Sequence, residues 1–116
     1  MTWQKDDADK PRLTLLPRRA LGVVASVMEH GARKYGADNW ERAPSLVPYV
    51  NAALRHLFEQ GEHDTPVLDD DSALPVLAHA AASALIALEL ALRRDETEQD
   101  AVTMMAAAPK RERPRW

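Results

Sequence analysis

Apolar residues recur along this chain at helical spacing in three separate stretches. Ala20, Leu21, Val24, Ala25, Met28 and Ala32 form one stripe, which predicts a helix from Pro17 to Tyr35. Pro17 suits a first turn, where its missing N–H costs nothing, and Gly36 stands where a glycine commonly ends a helix. A second helix is predicted from Pro48 to the stop at Gly61, with Val50, Ala53, Leu54, Leu57 and Phe58 on its apolar side. The third opens with Ser72 as candidate N-cap and Pro75 in the first turn, and reads as helical to about Arg94. Leu77, Ala80, Ala81, Ala84, Leu85, Leu88 and Leu92 wrap most of its circumference, so it should be central and buried on several sides.

No β-strand of ordinary length and no repeat interrupts this pattern. The expectation is an all-α fold, a small antiparallel bundle of three main helices. Residues 1–11 read as a flexible arm, 12–94 as the helical domain and 95–116 as a charged tail. Leu13, Leu15 and Leu16 suggest a short extended segment packed on the body. In the tail, Val102, Met104 and Met105 could form a helix across a subunit contact.

Composition narrows the chemistry. The 116 residues make one domain, small enough to gain from oligomerisation. With 18 acidic and 15 basic residues the net charge is -3, which gives no general attraction to nucleic acid or to an anionic membrane. The first residues are polar, and no stretch reads as the ~20 apolar residues of a membrane span, so a cytoplasmic protein is expected. Cysteine is absent. Any metal must therefore take oxygen and imidazole ligands, which points to Mg2+ or Mn2+ ahead of zinc.

Acids and histidines gather around the end of the second helix and the start of the third. His56 and Glu59 are three apart and share a helix face, Glu62 lies one turn further past Gly61, and Arg55 could reach a phosphate. His79 falls within the first two turns of the third helix. Of the acids before Ser72, Asp71 is the favoured ligand, while Asp69 and Asp70 read as a charged loop that suits the helix N-terminus. His30 and His63 read as surface histidines. A second candidate site spans Gly31 to Trp40, where Lys34, Tyr35, Asn39 and Trp40 would supply a cation for phosphate and flat rings for a base. It lacks the Gly-Lys-Ser/Thr run of a P-loop. The plainer readings are a core histidine at position 79, a solvated Glu59 and a Trp40 that only caps the core.

Taken in order, Lys10-Pro11-Arg12-Leu13, Gly31-Ala32-Arg33-Lys34-Tyr35-Gly36, Asn39-Trp40, Leu54-Arg55-His56-Leu57, Gly61-Glu62, Asp71-Ser72 and Leu77-Ala78-His79-Ala80 form a specific set. That set resembles the phage dATP/dGTP diphosphohydrolase N-terminal domain family, which looks related to the MazG-like all-α nucleoside triphosphate pyrophosphohydrolases. The resemblance covers about residues 8–92. It implies a MazG-like helical fold, a homodimer or homotetramer, and metal-dependent cleavage of a (deoxy)purine triphosphate such as dGTP or dATP to the monophosphate and pyrophosphate. The chain departs from the family pattern in two places: Val76 stands where a histidine is expected and Ala73 where a glycine is expected. His56-x-x-Glu59 likewise replaces the Glu-x-x-Glu of MazG-like enzymes.

On this reading Glu59, Glu62, Asp71 and His79 hold Mg2+ or Mn2+, and His56, Glu59 or Glu62 serves catalysis. Lys34, Tyr35, Asn39, Trp40 and Arg55 bind the nucleotide. A bound divalent ion would neutralise phosphoryl charge and activate water. The alternative is a non-catalytic nucleotide-binding or oligomeric helical protein with a degenerate metal site. An HD-type phosphohydrolase fits less well, because His63-Asp64 falls in a loop, and DNA binding has only the basic tail in its favour.

Overall fold

A computed structural model describes the backbone of residues 2–106 and the side chains of residues 2–97. Three α-helices, Arg18–Tyr35 (α1), Val47–Gln60 (α2) and Val76–Ala106 (α3), are joined by short irregular segments, with 3-10 turns at Leu13–Leu15 and Asn39–Arg42. Both α1 and α2 pack on α3, α2 the more extensively. The fold is an all-α bundle with no strand among the described residues, only an isolated antiparallel bridge between Leu68 and Pro75.

The expected boundaries need three corrections. α3 runs past Arg94 through the charged stretch to Ala106, because Asp95–Gln99 contains no helix breaker. Ser72 is not its N-cap but sits in a turn four residues before Val76. The Leu13–Leu16 segment does not pack on the body: Leu13 is 73% exposed and Leu15 71%. Residues 107–116, and the side chains of Val102, Met104 and Met105, lie outside the described residues.

The core forms where α1 meets the start of α3. Val24 and Val27 pack against Ala78 and Ala82, with Val23, Met28, Leu74 and Ala81 around them. Alanines on α3 allow this close approach. Most leucines of α3 behave differently: Leu77, Leu85, Leu88 and Leu92 are about half exposed and only Leu90 is buried with the alanines, so the helix is central on one side. α2 departs further from its predicted orientation. Leu54, Leu57 and Phe58 face outward, Phe58 at 81% exposure, while His56 and Gln60 are the buried positions. A polar stripe turns inward because each inward group has a local task.

Gln60 shows that task most plainly. Its amide donates to the carbonyls of His63 (2.7 Å) and Thr65 (3.0 Å), and its oxygen accepts from the N–H of Val67 (3.1 Å). One buried side chain thus satisfies three backbone groups and shapes the connection from α2 to α3. Gly61, at φ 56°, supplies the left-handed residue that turns the chain out of α2. The connection ends in a tight turn: Asp69 N–H bonds to Leu74 O and Val76 N–H to Val67 O, each at 2.8 Å. Val76 itself is fully buried.

By length and mean hydropathy (1.6), Val76–Thr97 would qualify as a membrane span, which corrects the expectation from sequence. Its alanine-rich side serves here as the surface on which α1 and α2 pack, and His79, Glu89 and Arg93 on it make polar contacts.

Ala73 adopts φ 61°, a left-handed conformation that costs an alanine roughly 1–2 kcal/mol and a glycine almost nothing. It is the position where the family resemblance places glycine. Ala73→Gly is expected to stabilise the fold by about 1 kcal/mol in urea unfolding, net of glycine's extra unfolded-state entropy. An unchanged or lowered midpoint would show that the turn carries no such strain.

Candidate active site

A cleft of about 560 Å³ opens between α1 and α2, floored by α3. His30, Lys34 and Tyr35 reach it from α1, Asn39 and Trp40 from the following loop, Tyr49, Arg55 and His56 from α2. Asp69 and Asp71 come from the turn, and His79 from α3. All five residues expected to bind nucleotide (Lys34, Tyr35, Asn39, Trp40, Arg55) therefore line one cavity. Glu59 and Glu62 are not among its lining residues, and Glu62 is exposed in the turn beyond Gly61.

One end of the cleft is built from imidazoles and carboxylates. One potential ligand atom each from His56, Glu59 and Asp69 lies within 4.8 Å of the other two. His56 Nδ1 is 3.4 Å from Glu59 Oε1, as their i,i+3 spacing on α2 allows, yet it is buried and makes no hydrogen bond. The His56 and His79 rings lie 5.0 Å apart, and His30 meets His79 edge-on at 6.4 Å. Three histidines from α1, α2 and α3 thus converge, and His30 is not the surface residue it looked in sequence.

The turn before α3 fixes the acids. Asp69 Oδ2 accepts from the N–H groups of Ser72 (2.9 Å) and Asp71 (3.1 Å), and lies 3.8 Å from His79 Nε2. The Ser72 N–H holds the Asp69 carboxyl below the usual range, against a smaller opposing effect of burial. Ser72 Oγ accepts from Leu74 N–H (3.1 Å) and is 2.6 Å from His79 Nε2. Burial is the main force lowering the His79 pKa; Asp69 opposes it, while His56 and His30 add to it. The net effect favours the neutral form of His79.

Asp71, the favoured ligand from sequence, is engaged elsewhere. Its Oδ2 accepts from Lys34 Nζ at 2.8 Å and contacts His30 Nε2 at 3.1 Å. The Lys34 hydrogen bond, then that of His30, pulls the Asp71 pKa down, and Asp71 in turn raises that of Lys34. The structure thus gathers Asp69 with His56 and Glu59, leaves Glu62 outside the group, and sets Asp71 as the link between the turn and α1. Asp69 was passed over in sequence. Its signal was the Asp-x-x-Ser spacing, in which a carboxylate caps its own turn. For His30 the signal was Lys34 four residues on, which puts both on one helix face.

At the other end, Trp40 carries the Arg93 guanidinium 5.0 Å from its ring centre, and Lys34 Nζ sits 5.4 Å from that of Tyr35. Arg55 makes no ion pair among the described residues and lines the cleft beside His56. The cavity thus pairs an imidazole and carboxylate group with cations, then with aromatic rings.

Comparison with known proteins identifies the family. The family model described as dATP/dGTP diphosphohydrolase, N-terminal, matches residues 2–100. The chain belongs to this family. A dATP/dGTP diphosphohydrolase of Salmonella phage PMBT28 is 35% identical over 81 residues, which is 70% of this chain and 27% of the relative. The chain therefore spans little more than a quarter of that relative's length. No solved structure matches the chain significantly. Val76, the position at which the resemblance led to the expectation of a histidine, is packed inside and does not line the cleft.

Two of the shifted groups, His79 and Asp69, give pH dependences of stated sign. His79 folds with a pKa below 6.5, so the unfolded chain binds more protons and stability falls as pH drops from 6.5 to the folded value. Asp69 contributes stability above 3.8, which is lost as pH falls through its lower folded value. Urea unfolding from pH 8 to 5 should show the first slope, and His79→Gln should flatten it. A slope unaffected by that substitution would mean that His79 titrates normally.

Proposed function

We propose that the chain hydrolyses a (deoxy)purine nucleoside triphosphate, dGTP or dATP, to the monophosphate and pyrophosphate with a divalent metal. The observation that carries the reading is His56: its Nδ1 is buried without a hydrogen bond, 3.4 Å from Glu59 Oε1, and the same imidazole is grouped with Asp69 from a different element. Burying such an atom costs roughly 1–3 kcal/mol unless something binds it. A donor set of imidazole and carboxylate fits Mn2+ better than Mg2+, which prefers oxygen alone.

His56, Asp69 and Glu59 would hold the ion, with His79 placed behind Asp69. The ion would supply charge neutralisation on the phosphoryl oxygens and a more acidic attacking water. Water attacks the α-phosphorus, the bond from it to the bridging oxygen breaks, and pyrophosphate leaves. Glu59, the solvent-facing member of the group, receives the proton that the water gives up. Arg55 and Lys34 stabilise the charge that develops on the phosphates. Lys34 does so by turning from Asp71, which remains held by His30. Tyr35 and Trp40 contact the base, and Asn39 offers its edge an amide.

The outward leucines of α2 and α3, together with Phe58, support a homodimer or homotetramer, since a monomer rarely leaves so broad an apolar face in water. Residues 12–94 carry the whole cleft, and the setting we assign is the cytoplasm, that of the host if the chain is phage-encoded.

Incubating the purified chain with each dNTP and Mn2+ should release pyrophosphate from a purine triphosphate, and chelation should abolish it. His56→Ala or Asp69→Ala should lower kcat/KM by about 100-fold or more, given that even supporting partners of metal ligands cost 10–100-fold. The same preparation should sediment at a multiple of 12.9 kDa. A folded chain that releases no pyrophosphate from any triphosphate would sink the proposal.

A further inference from the structure

The loop that carries Asn39 and Trp40 bonds mainly to itself. Asn39 N–H reaches Gly36 O (3.2 Å), Glu41 N–H reaches Asp38 O (3.1 Å), and Ala43 N–H reaches Trp40 O (3.1 Å). Its polar ties to α3 come from two consecutive arginines some fifty residues further along the chain. Arg94 donates to the Pro44 carbonyl at 2.8 Å. Arg93 does more: Nη1 donates to Glu41 at 2.9 Å, Nε donates to Glu89 at 2.8 Å, and the guanidinium carbon lies 5.0 Å from the Trp40 ring centre.

We propose that Arg93 is a positioning residue for base recognition, stacked on the outer face of Trp40 so that the inner face is presented to a nucleobase. The proposal rests on the nucleotide reading of the cleft. Trp40 lines the cavity and Arg93 does not, so the cation covers the indole from the far side. Glu89 from the preceding turn of α3 and Glu41 from the loop grip two different nitrogens of the guanidinium. That grip fixes the plane of the flat cation, and the plane of the cation fixes the plane of the ring. A lysine in its place would keep the charge but lose both the fork and the stack. Without the cation, the indole and its short 3-10 turn would sample other orientations, and base stacking would bear the entropy of ordering them. The chemistry of the transferred phosphate lies at the histidine end and does not involve Arg93.

The test uses the full chain with Trp3→Phe and Trp116→Phe, which leaves Trp40 as the sole indole. Arg93→Ala should red-shift Trp40 emission and increase its quenching by acrylamide before any nucleotide is added. With Mn2+ and the preferred dNTP, KM should rise about three- to thirtyfold, the range a partly desolvated cation–π contact supports, while kcat stays within about twofold. Arg93→Lys should give an intermediate KM. Unaltered Trp40 emission and quenching, an unaltered KM, or a loss confined to kcat would each overturn the role given to Arg93. If the unsubstituted protein turns over no triphosphate, the nucleotide reading itself fails. Turnover with a KM indifferent to Arg93 leaves that reading standing and removes only this inference.

Discussion

A buried imidazole nitrogen with no hydrogen-bond partner is a standing penalty on a fold, and His56 carries one at the junction of α2 and α3. Nothing in helix packing requires it. An apolar residue at position 56 would pack against α3 without that penalty, and α2 has apolar residues to spare: Leu54, Leu57 and Phe58 point outward instead. The helix is rotated so that a polar stripe faces in, and the cost is tolerable if something binds at that nitrogen. Glu59 and Asp69 both approach this imidazole, and both are acceptors, as a cation requires. The orientation of α2, the exposed apolar face and the candidate metal centre are thus consequences of one choice.

The turn between α2 and α3 supplies the other half of the geometry. Gln60 ties down its first part through three backbone groups, and Asp69 caps its last part through two. Those bonds bring a carboxylate to His79 and leave Asp71 free to reach α1. The Lys34–Asp71–His30 contact then draws the end of α1 toward the same site, so that all three helices close on one end of the cleft. The opposite end is set by Arg93 and Arg94, which fasten the Trp40 loop to α3. A small domain with few core residues thereby holds a sizeable cleft open by polar contacts at both ends.

Much of this was legible in the sequence. Helical periodicity located α1 to within a residue, Gly36 and Gly61 marked two helix ends, and the glycine expected at Ala73 matches its left-handed backbone. All five residues chosen for nucleotide binding line the cleft. The departures from the sequence reading have separate causes. Apolarity was taken to mean burial, which put Leu54, Leu57 and Phe58 inside and ignored Gln60, because a monomer's core and an exposed apolar face look alike in sequence. Asp71 was preferred over Asp69 on closeness to the helix, and the turn sets Asp69 beside His56 and Glu59 and Asp71 beside Lys34. His30 was discounted because its partner, Asp71, is forty-one residues away.

The most direct measurement is anomalous diffraction from crystals soaked in Mn2+. The account predicts a peak within bonding distance of His56 Nδ1, flanked by carboxylate oxygens of Glu59 and Asp69. A water hydrogen-bonded to that nitrogen, with manganese absent or bound only at the exposed Glu62, would contradict it.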